Sequence, residues 1–371
     1  MLIARYEERH VPQVQAFNER LRLGGSPFQY EADPWRSKVL TGAANEIRSE
    51  HYLVLDEGGA VRGSYTLVLQ RFFVGGAAEQ VTFLQFPFSE GSVNPAFAAV
   101  GLFLLKDALR RAPVQFSLGM GGIDRPLPQF YKRALGFLVC EVPFFFQVLR
   151  PRAFLRNATA LRSRAYLRGV NRIAAATGAS DVAFGIVNAV RRLHAIPRRS
   201  LRVDEVAEFG TVTDEVWKAA ASNYSCLSIR DRETLNYLYP TRDSRFHRLH
   251  VYERGHAAGW ALVTDSQMRG HNHFGDMRVG AIINCLAYAG CEDAVIGAAS
   301  YYLRDRGVDL IVSNQLHPAW GRSLDQAGYL KYKSNFVFAA SPALVTRIKA
   351  HDSALERVHL NRGDGDGPYN L

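Results

Sequence analysis

The apolar residues in the first 150 positions are spaced like a set of adjacent strands followed by alternating helices and strands. Three apolar or alternating segments, separated by glycine turns at 58–59 and 75–76, predict an antiparallel meander. Beyond residue 95, apolar positions recur every three or four residues, which is typical of a helix packed on a core. The pattern predicts strands at 51–56, 61–74, 80–88, 114–118 and 137–149, and helices at 96–111 and 126–135.

The second half of the chain repeats this order of elements. Two helical segments open with a proline and end at a glycine followed by an aromatic residue, and their prolines, Pro126 and Pro318, are 192 residues apart. The same offset separates Gly136 from Gly328. The second copy is predicted to have a strand and turn at 248–256, strands at 257–264, 278–288, 308–314 and 329–339, and helices at 292–306 and 318–327. The pattern indicates a mixed α/β (α+β) fold in two tandem domains.

A length of 371 residues fits two domains of about 150–200 residues each. We predict a first domain at 1–150, a helical connector at 151–202, a second domain at 203–348 and a C-terminal tail at 349–371. The end of this tail, from residue 361, is rich in glycine and aspartate, and we expect it to fray.

The net charge of +10 is concentrated in the predicted connector. Twelve arginines and one acid, Asp181, lie between Arg150 and Arg202, so the remainder of the chain is close to neutral. We expect a solvated basic helix here. The alternatives are contact with an RNA such as tRNA, with a nucleotide-linked substrate, or with an anionic membrane surface near 182–190.

The composition favours a soluble globular protein, with 47% hydrophobic and 22% charged residues. No stretch reaches the roughly 18 apolar residues of a membrane span, and the N-terminus has no apolar signal core, so we expect a cytoplasmic protein. The four cysteines form no CxxC pair, which predicts free thiols. His271, His273 and Asp276 carry metal-ligand side chains, but we interpret them as a polar loop between strands and expect no metal.

The segment Phe130-Tyr131-Lys-Arg-Ala-Leu-Gly136-Phe137, together with the meander and the helix after it, resembles the GNAT superfamily of N-acyltransferases. It is similar to the family's Phe-Tyr-x-x-x-Gly-Phe signature, with one extra residue before the glycine. The resemblance covers residues 1–150 well and 203–345 weakly. The duplicated layout is similar to that of tandem GNAT proteins, including Fem-type aminoacyl-ligases. It implies two GNAT-like domains, of which the second is degenerate.

The resemblance implies that acyl-CoA binds at the end of the third meander strand and at the turn into the next helix. There, free amides and the helix dipole favour an anion. The residues implied are Phe86, Phe88, Ser89, Gly91, Ser92 and Asn94. This turn has one glycine, no basic residue and an acid, Glu90, which opposes a pyrophosphate; the alternative is an ordinary capped helix start. The turn at 289–293 in the second half is also acidic.

Tyr131 is the candidate general acid, which by the resemblance protonates the departing thiolate. The alternative is a packed aromatic side chain beside Phe130. Ser323 lies at the matching position of the second half, near Trp320, and a serine is a poor substitute for a phenol. The base for the acceptor amine is predicted to be Glu90 or a chain of water molecules.

These observations leave three functional hypotheses. The first is an acyl-CoA-dependent N-acyltransferase acting on the amine of a small molecule or an amino sugar, in a pathway such as surface-polysaccharide synthesis. The second is a Fem-like transferase that uses aminoacyl-tRNA and a lipid-linked acceptor. The third is a non-catalytic binding protein that kept the fold and lost the cofactor turn.

Overall fold

The structure is a computed structural model that describes residues 1–31, 46–157, 201–352 and 355–365. The chain divides into two compact units. Unit 1 comprises Met1–Cys140 with Val337–Ser353, and unit 2 comprises Glu141–Phe336 with Ala354–Leu371. Within the four described ranges, no helix is both long enough and apolar enough to span a membrane.

Unit 1 is built on one mixed sheet whose central strands form the predicted meander. Its strands are β1 (Leu2–Arg5), β2 (Arg48–Leu55), β3 (Val61–Val74), β4 (Ala77–Ser89), β5 (Gln115–Met120), β6 (Leu138–Glu141) and β15 (Phe336–Ala340). Their order is β1-β2-β3-β4-β5-β15-β6. The strands β2, β3 and β4 pair antiparallel through tight turns, and β5 lies parallel to β4 because a helix connects them.

Helices cover both faces of this sheet. They are α1 (Val11–Leu23), α2 (Ala98–Arg111), α3 (Pro126–Leu135) and α9 (Pro342–Lys349). Side chains of α2 and α3 pack with Leu67 and Leu84 in one buried cluster, and side chains of α1 pack with Leu53 and Val61 in another. Because β3 is covered on both sides, most of its residues are buried, which explains its nearly continuous apolar sequence.

Unit 2 repeats this architecture around a second mixed sheet. The strands of this sheet are β7 (Phe144–Val148), β8 (Leu201–Val206), β10 (Phe246–Glu253), β11 (His256–Gln267), β12 (Arg278–Ala287), β13 (Leu310–Asn314) and β14 (Leu330–Tyr332). Two short strands of the unit, β9 (Cys226–Ser228) and β16 (Val358–His359), pair parallel with each other outside this sheet. Its helices are α4 (Pro151–Asn157), α5 (Thr211–Ala220), α6 (Arg232–Leu238), α7 (Glu292–Asp305) and α8 (Pro318–Gln326). The sheet order is β14-β7-β13-β12-β11-β10-β8, with β12 and β13 parallel.

The proline-to-glycine helices α3 and α8 confirm the duplication that the sequence predicts. Each begins at its proline, where the missing N–H is not needed by the helix. Gly136 and Gly328, which follow the two helices, have φ angles of 66° and 89°. A residue without Cβ adopts this left-handed conformation at little cost, so the chain can turn sharply out of each helix.

Two predicted strands were wrong as single elements. The predicted strand at 137–149 is two strands, because Pro143 has no N–H to continue a ladder, and β6 and β7 belong to different sheets. The predicted strand at 329–339 likewise divides into β14 and β15, and the amide of Phe336 donates to the hydroxyl of Ser334 between them. Each sheet therefore contains a strand from the other half of the sequence. The chain passes from one unit to the other after Cys140 and again after Phe336. The domain bounds at 150 and 348 stay predictions.

The prediction of a frayed end from residue 361 was wrong for residues 361–365. Asn361 and Asp364 are buried, with 0% and 7% of their surface exposed. The carboxylate of Asp364 forms an ion pair of 2.8 Å with Arg230. The glycine-rich composition predicted exposure, but Asn361 and Asp364 have specific partners inside unit 2.

The basic connector is described only at its two ends. Arg150 pairs with Asp309 at 3.3 Å, and Arg202 pairs with Asp204 at 3.2 Å. Residues 158–200, which carry most of the predicted basic helix, lie outside the described residues. The predicted contacts with tRNA or a membrane surface stay predictions.

Candidate active site

The candidate site in unit 1 begins where β4 and β5 stop pairing. Thr82 pairs with Gln115 and Phe83 with Phe116, and the register ends there. The next contact is made by a side chain, because the hydroxyl of Ser117 donates to the carbonyl of Leu84 at 3.0 Å. Within the described residues, the strand order gives β4 no neighbours besides β3 and β5. We call the region where the two strands separate the unit 1 divergence. It runs from Leu84 to the end of β4 and from Ser117 to the end of β5.

A β-bulge bends β4 just beyond this point. Thr66 pairs with Gln85 and Ser64 with Phe88, so β4 contains one residue more than β3 across this interval. Phe86 lies in the bulge with a φ of 50°, a strained conformation for a residue with a side chain. Its ring is 43% exposed and lies 5.9 Å from the ring of Phe88. The bulge thus places an exposed apolar surface beside the divergence.

Tyr131 of α3 reaches the divergence from within the core. Its side chain is fully buried, and its hydroxyl lies 2.9 Å from that of Ser117. Since Ser117 uses its only proton for the carbonyl of Leu84, the phenol must be the donor in this pair. Burial raises the pKa of Tyr131 above its ordinary value, so the phenol is protonated at neutral pH. Its proton is directed into a hydrogen-bonded series that runs from Tyr131 through Ser117 to the carbonyl of Leu84.

Glu90 is not an exposed acid. It is 3% exposed, and its carboxylate accepts hydrogen bonds from Arg20 at 3.0 Å and from Arg62 at 2.9 Å. Arg62 also donates to Asp56 at 2.8 Å, so two arginines and two acids balance one another. These bonds tie the start of the turn to α1 and β3. The opposition to a bound anion that the sequence indicates is therefore neutralised locally.

The turn from Ser89 to Ala98 satisfies most of its own amides. The hydroxyl of Ser89 accepts from Gly91, and the side chain of Asn94 accepts from Ala96, each at 3.1 Å. Backbone carbonyls within the turn accept from the amides of Val93, Asn94, Phe97 and Ala98. A Cβ on Gly91 would lie 2.4 Å from the carbonyl oxygen of Phe97, so only glycine fits this close approach. The turn is a self-contained cap, and its occupied amides do not fit a main-chain cradle for pyrophosphate.

Unit 2 contains an equivalent divergence, and its own chain fills it. Pairing of β12 with β13 ends at Ile282 and Ser313. Beyond that point, the C-terminal segment pairs with the end of β13, since Leu316 donates to the carbonyl of Leu360 at 2.9 Å and Gln315 bridges to Asn361. The side chain of Asn361 also donates to Asn284 of β12 at 2.9 Å. The segment 358–365 therefore contacts both strands that separate.

Comparison with known proteins identifies the fold. No protein-family model matches the chain, and no curated protein matches it. Among solved structures, it is similar to a GCN5-related N-acetyltransferase from Anabaena variabilis (TM-score 0.52, 8% identity, 91% of this chain and 72% of that one). It is also similar to N-myristoyltransferase of Saccharomyces cerevisiae with bound myristoyl-CoA (0.51, 10%, 92% and 79%). A tandem GNAT protein from the clavulanic acid pathway matches at a TM-score of 0.50 and 12% identity, over 92% of this chain and 98% of that one. The chain has a tandem GNAT fold.

The second GNAT unit lacks a phenol at the position of Tyr131. Ser323 lies there on α8, and its hydroxyl donates to the carbonyl of Ala319 at 3.1 Å within the helix. Trp320 is fully buried and donates to the hydroxyl of Tyr224 at 3.2 Å. Both side chains are used for packing in this unit, and the degeneracy of the second copy stays a prediction.

The remaining residues with candidate chemistry lie elsewhere in the two GNAT units. His271 and His273 lie in the loop between β11 and β12, and the imidazole of His271 accepts from the amide of His273 at 3.1 Å. Within the described ranges, no cluster of three or more metal-ligand side chains occurs. The four cysteines are free thiols, as predicted: Cys140, Cys226, Cys285 and Cys291.

Sequence reasoning missed Ser117 and the two arginines that hold Glu90. Ser117 interrupts the apolar segment at 114–118, and a hydroxyl inside such a strand is a weak indication of a specific acceptor. Arg20 lies 70 residues from Glu90, so the sequence offered no indication of that pair.

Proposed function

We propose that this chain is an N-acyltransferase with its active site at the unit 1 divergence. The donor is an acyl thioester such as acyl-CoA, and the acceptor is the amine of a small molecule or an amino sugar. The amine nitrogen attacks the thioester carbonyl, a C–N bond forms, and the C–S bond breaks. The amine loses a proton and the departing thiolate gains one. The tandem GNAT fold supports acyl transfer as the class of reaction.

We place the active site in unit 1 because the divergences of the two units differ. The C-terminal segment contacts both separating strands in unit 2. In unit 1, the same position has the exposed Phe86, the bulge of β4 and the phenol of Tyr131. An apolar surface beside a few directed polar groups is the usual composition of a small-molecule site. A single active site in unit 1 accounts for both arrangements.

Tyr131 is proposed as the donor of the proton that the thiolate takes up. Its raised pKa keeps the proton on the phenol at neutral pH. Transfer requires that the phenol release Ser117 and turn toward the substrate, so the observed bond to Ser117 describes a resting state. Glu90 as the base for the acceptor amine stays a prediction. Both of its carboxylate oxygens accept hydrogen bonds from arginines, so Glu90 would have to give up one of these bonds to take a proton. A chain of water molecules could take the proton without breaking them.

The amides of the turn at 89–98 are already hydrogen-bonded, and this limits how the acyl donor can be recognised. A pyrophosphate does not replace these internal bonds without cost, so we propose that the donor is recognised mainly through its acyl and pantetheine portions. The same observation favours the third hypothesis, a GNAT-fold protein that binds without catalysis. Turnover separates the two.

The test is thiol release from acetyl-CoA and longer acyl-CoAs by the full chain, with a panel of small amines and amino sugars. We expect amine-dependent release with at least one acyl length. Acyl-pantetheine serves as a matched donor that lacks the nucleotide. We expect its kcat/KM to lie within about tenfold of that of acyl-CoA. A tenfold difference means that the nucleotide contributes only about 1.4 kcal/mol of binding free energy. Absence of release across the panel would contradict the proposal, and donor binding without release would favour the non-catalytic hypothesis.

A further inference from the structure

Two arginines of unit 2, Arg230 and Arg362, make contacts through the C-terminal segment, and one of them is fully compensated. Arg230 is 0% exposed and pairs with Asp364 at 2.8 Å. It also donates to the carbonyl of Cys285 and contacts the imidazole of His359, each at 3.0 Å. Asp364 in turn accepts from the hydroxyl of Ser228. This guanidinium has an acid and several acceptors, so its role is structural.

The second arginine, Arg362, has no such compensation from the residues that the structure describes. Its Nε is inaccessible and has no hydrogen-bond partner. Its one hydrogen bond in the described part of the chain runs from Nη1 to the side-chain oxygen of Asn314, at a long 3.4 Å. The side chain as a whole is partly accessible. Burial lowers the pKa of Arg362 to about 10. The Nε of the guanidinium thus lies in the interior without an acceptor, and its Nη2 forms no hydrogen bond with a described residue.

The polar groups around Arg362 are also loosely engaged. The amide nitrogen of Asn314 makes contacts of 3.4 Å or longer to Val142, Pro143 and Ser334. The side-chain oxygen of the adjacent Gln315 is buried without a partner. Leaving several buried polar groups unsatisfied is unfavourable, because each gives up its bonds to water. A ligand that accepts hydrogen bonds from Arg362 removes the largest of these penalties.

We propose that Arg362 binds the carboxylate of a small-molecule ligand in unit 2, with Asn314 beside it. The Nε and Nη2 donors lie in one plane and match the two oxygens of a carboxylate. One uncompensated cation balances one negative charge. A phosphate monoester carries about −1.5 to −2 at neutral pH and requires a second cation, but Arg230 is already neutralised by Asp364. This site is separate from the proposed acyl-transfer site and does not depend on it.

The experiment titrates the full chain with sodium acetate, with acetamide as the neutral isostere and inorganic phosphate as the alternative anion, at constant ionic strength. Thermal unfolding and calorimetry report binding. At about ten times the Kd, acetate is expected to raise the melting temperature by about 3 °C, and acetamide to leave it unchanged. Arg362→Gln is expected to abolish the shift. Arg362→Lys, which keeps the charge but loses the fork, is expected to weaken binding about tenfold.

Arg322→Gln is the matched control, because Arg322 is an exposed arginine of α8 in the same unit. It is expected to bind acetate like the unmodified chain. Without ligand, Arg362→Gln is expected to melt at the same temperature or higher, since it removes a cation whose Nε is buried without a partner. Four results would overturn the proposal: acetate binding unchanged in Arg362→Gln, equal binding of acetamide, tighter binding of phosphate than of acetate, or loss of folding in both Arg362 variants, which would make the residue structural.

Discussion

Replacing Tyr131 with phenylalanine separates catalysis from packing, because the chain contains a matched control. Tyr131 and Tyr329 are both 0% exposed, one in each unit. Their hydroxyls lie 2.9 Å and 2.8 Å from the hydroxyls of Ser117 and Ser300. Burial raises the pKa of both phenols above the ordinary value. Only Tyr131 lies at the unit 1 divergence, so the two substitutions remove the same group from chemically similar surroundings.

Tyr131→Phe is expected to have a small effect on stability. It removes one buried hydrogen bond, but Ser117 still donates to Leu84, so no buried donor is left unsatisfied. The cost is about 0.5–1.5 kcal/mol, or a fall of about 2–5 °C in the melting temperature. Tyr329→Phe is expected to fall in the same range, since Ser300 keeps its bond to the carbonyl of Ile296. Because the pKa of each phenol is raised in the folded protein, its contribution to stability is fully present below pH 10 and decreases above it. Measurements at pH 7–8 are therefore unaffected by titration of the phenols.

The two variants are expected to differ in turnover. Loss of a general acid lowers kcat by about 10²–10⁴-fold, whereas loss of a packing hydroxyl that is not part of the site leaves kcat unchanged. The assay is amine-dependent thiol release from the best acyl donor, with donor affinity measured separately by calorimetry. We expect Tyr131→Phe to lose turnover and keep donor affinity, and Tyr329→Phe to keep both. Full turnover in Tyr131→Phe would remove the phenol from the mechanism, and equal losses in both variants would assign the effect to packing.

Three further predictions concern the framework of the two units. Asp364→Asn leaves the guanidinium of Arg230 buried without its acid and is expected to lower the free energy of unfolding by about 3–5 kcal/mol in urea titrations; a cost under 1 kcal/mol would show that the pair is dispensable. Gly91→Ala introduces a Cβ 2.4 Å from the carbonyl oxygen of Phe97 and is expected to cost about 1–3 kcal/mol by the same measurement, so an unchanged midpoint would show that the turn adjusts freely. Burial, followed by the nearby charge of Arg5, lowers the pKa of His51 to about 4, so its contribution to stability is present above pH 6.5 and is lost as the pH falls toward 4. His51→Gln is expected to flatten the dependence of unfolding free energy on pH in this window, and an unaltered slope would exclude His51 as its source.

Elements fixed by local sequence were predicted well. The strand β3 and the helix α3 have the predicted bounds, because glycine turns and a proline start delimit them whatever the rest of the chain does. The exchange of β7 and β15 between the sheets was not predictable, since periodicity gives the strands and not their neighbours. Pro143 was the one local indication of a break.

The candidate site was predictable only in part. Tyr131 could be selected because it lies in a recognisable segment, but its bond to Ser117 depends on how α3 packs against β5. The environment of Glu90 depends on arginines 28 and 70 residues away. Asp364 pairs with an arginine 134 residues earlier, so a segment with the composition of a free tail is buried. Long-range electrostatic partners are set by tertiary packing, which the local sequence does not record.

The stoichiometry of donor binding tests the central claim most directly. Calorimetric titration of the full chain with acetyl-CoA and longer acyl-CoAs measures how many sites each chain offers. A single acyl-transfer site in unit 1, with the unit 2 divergence filled by residues 358–365, predicts one equivalent bound per chain. Two equivalents per chain, or no binding heat across the whole acyl series, would contradict it.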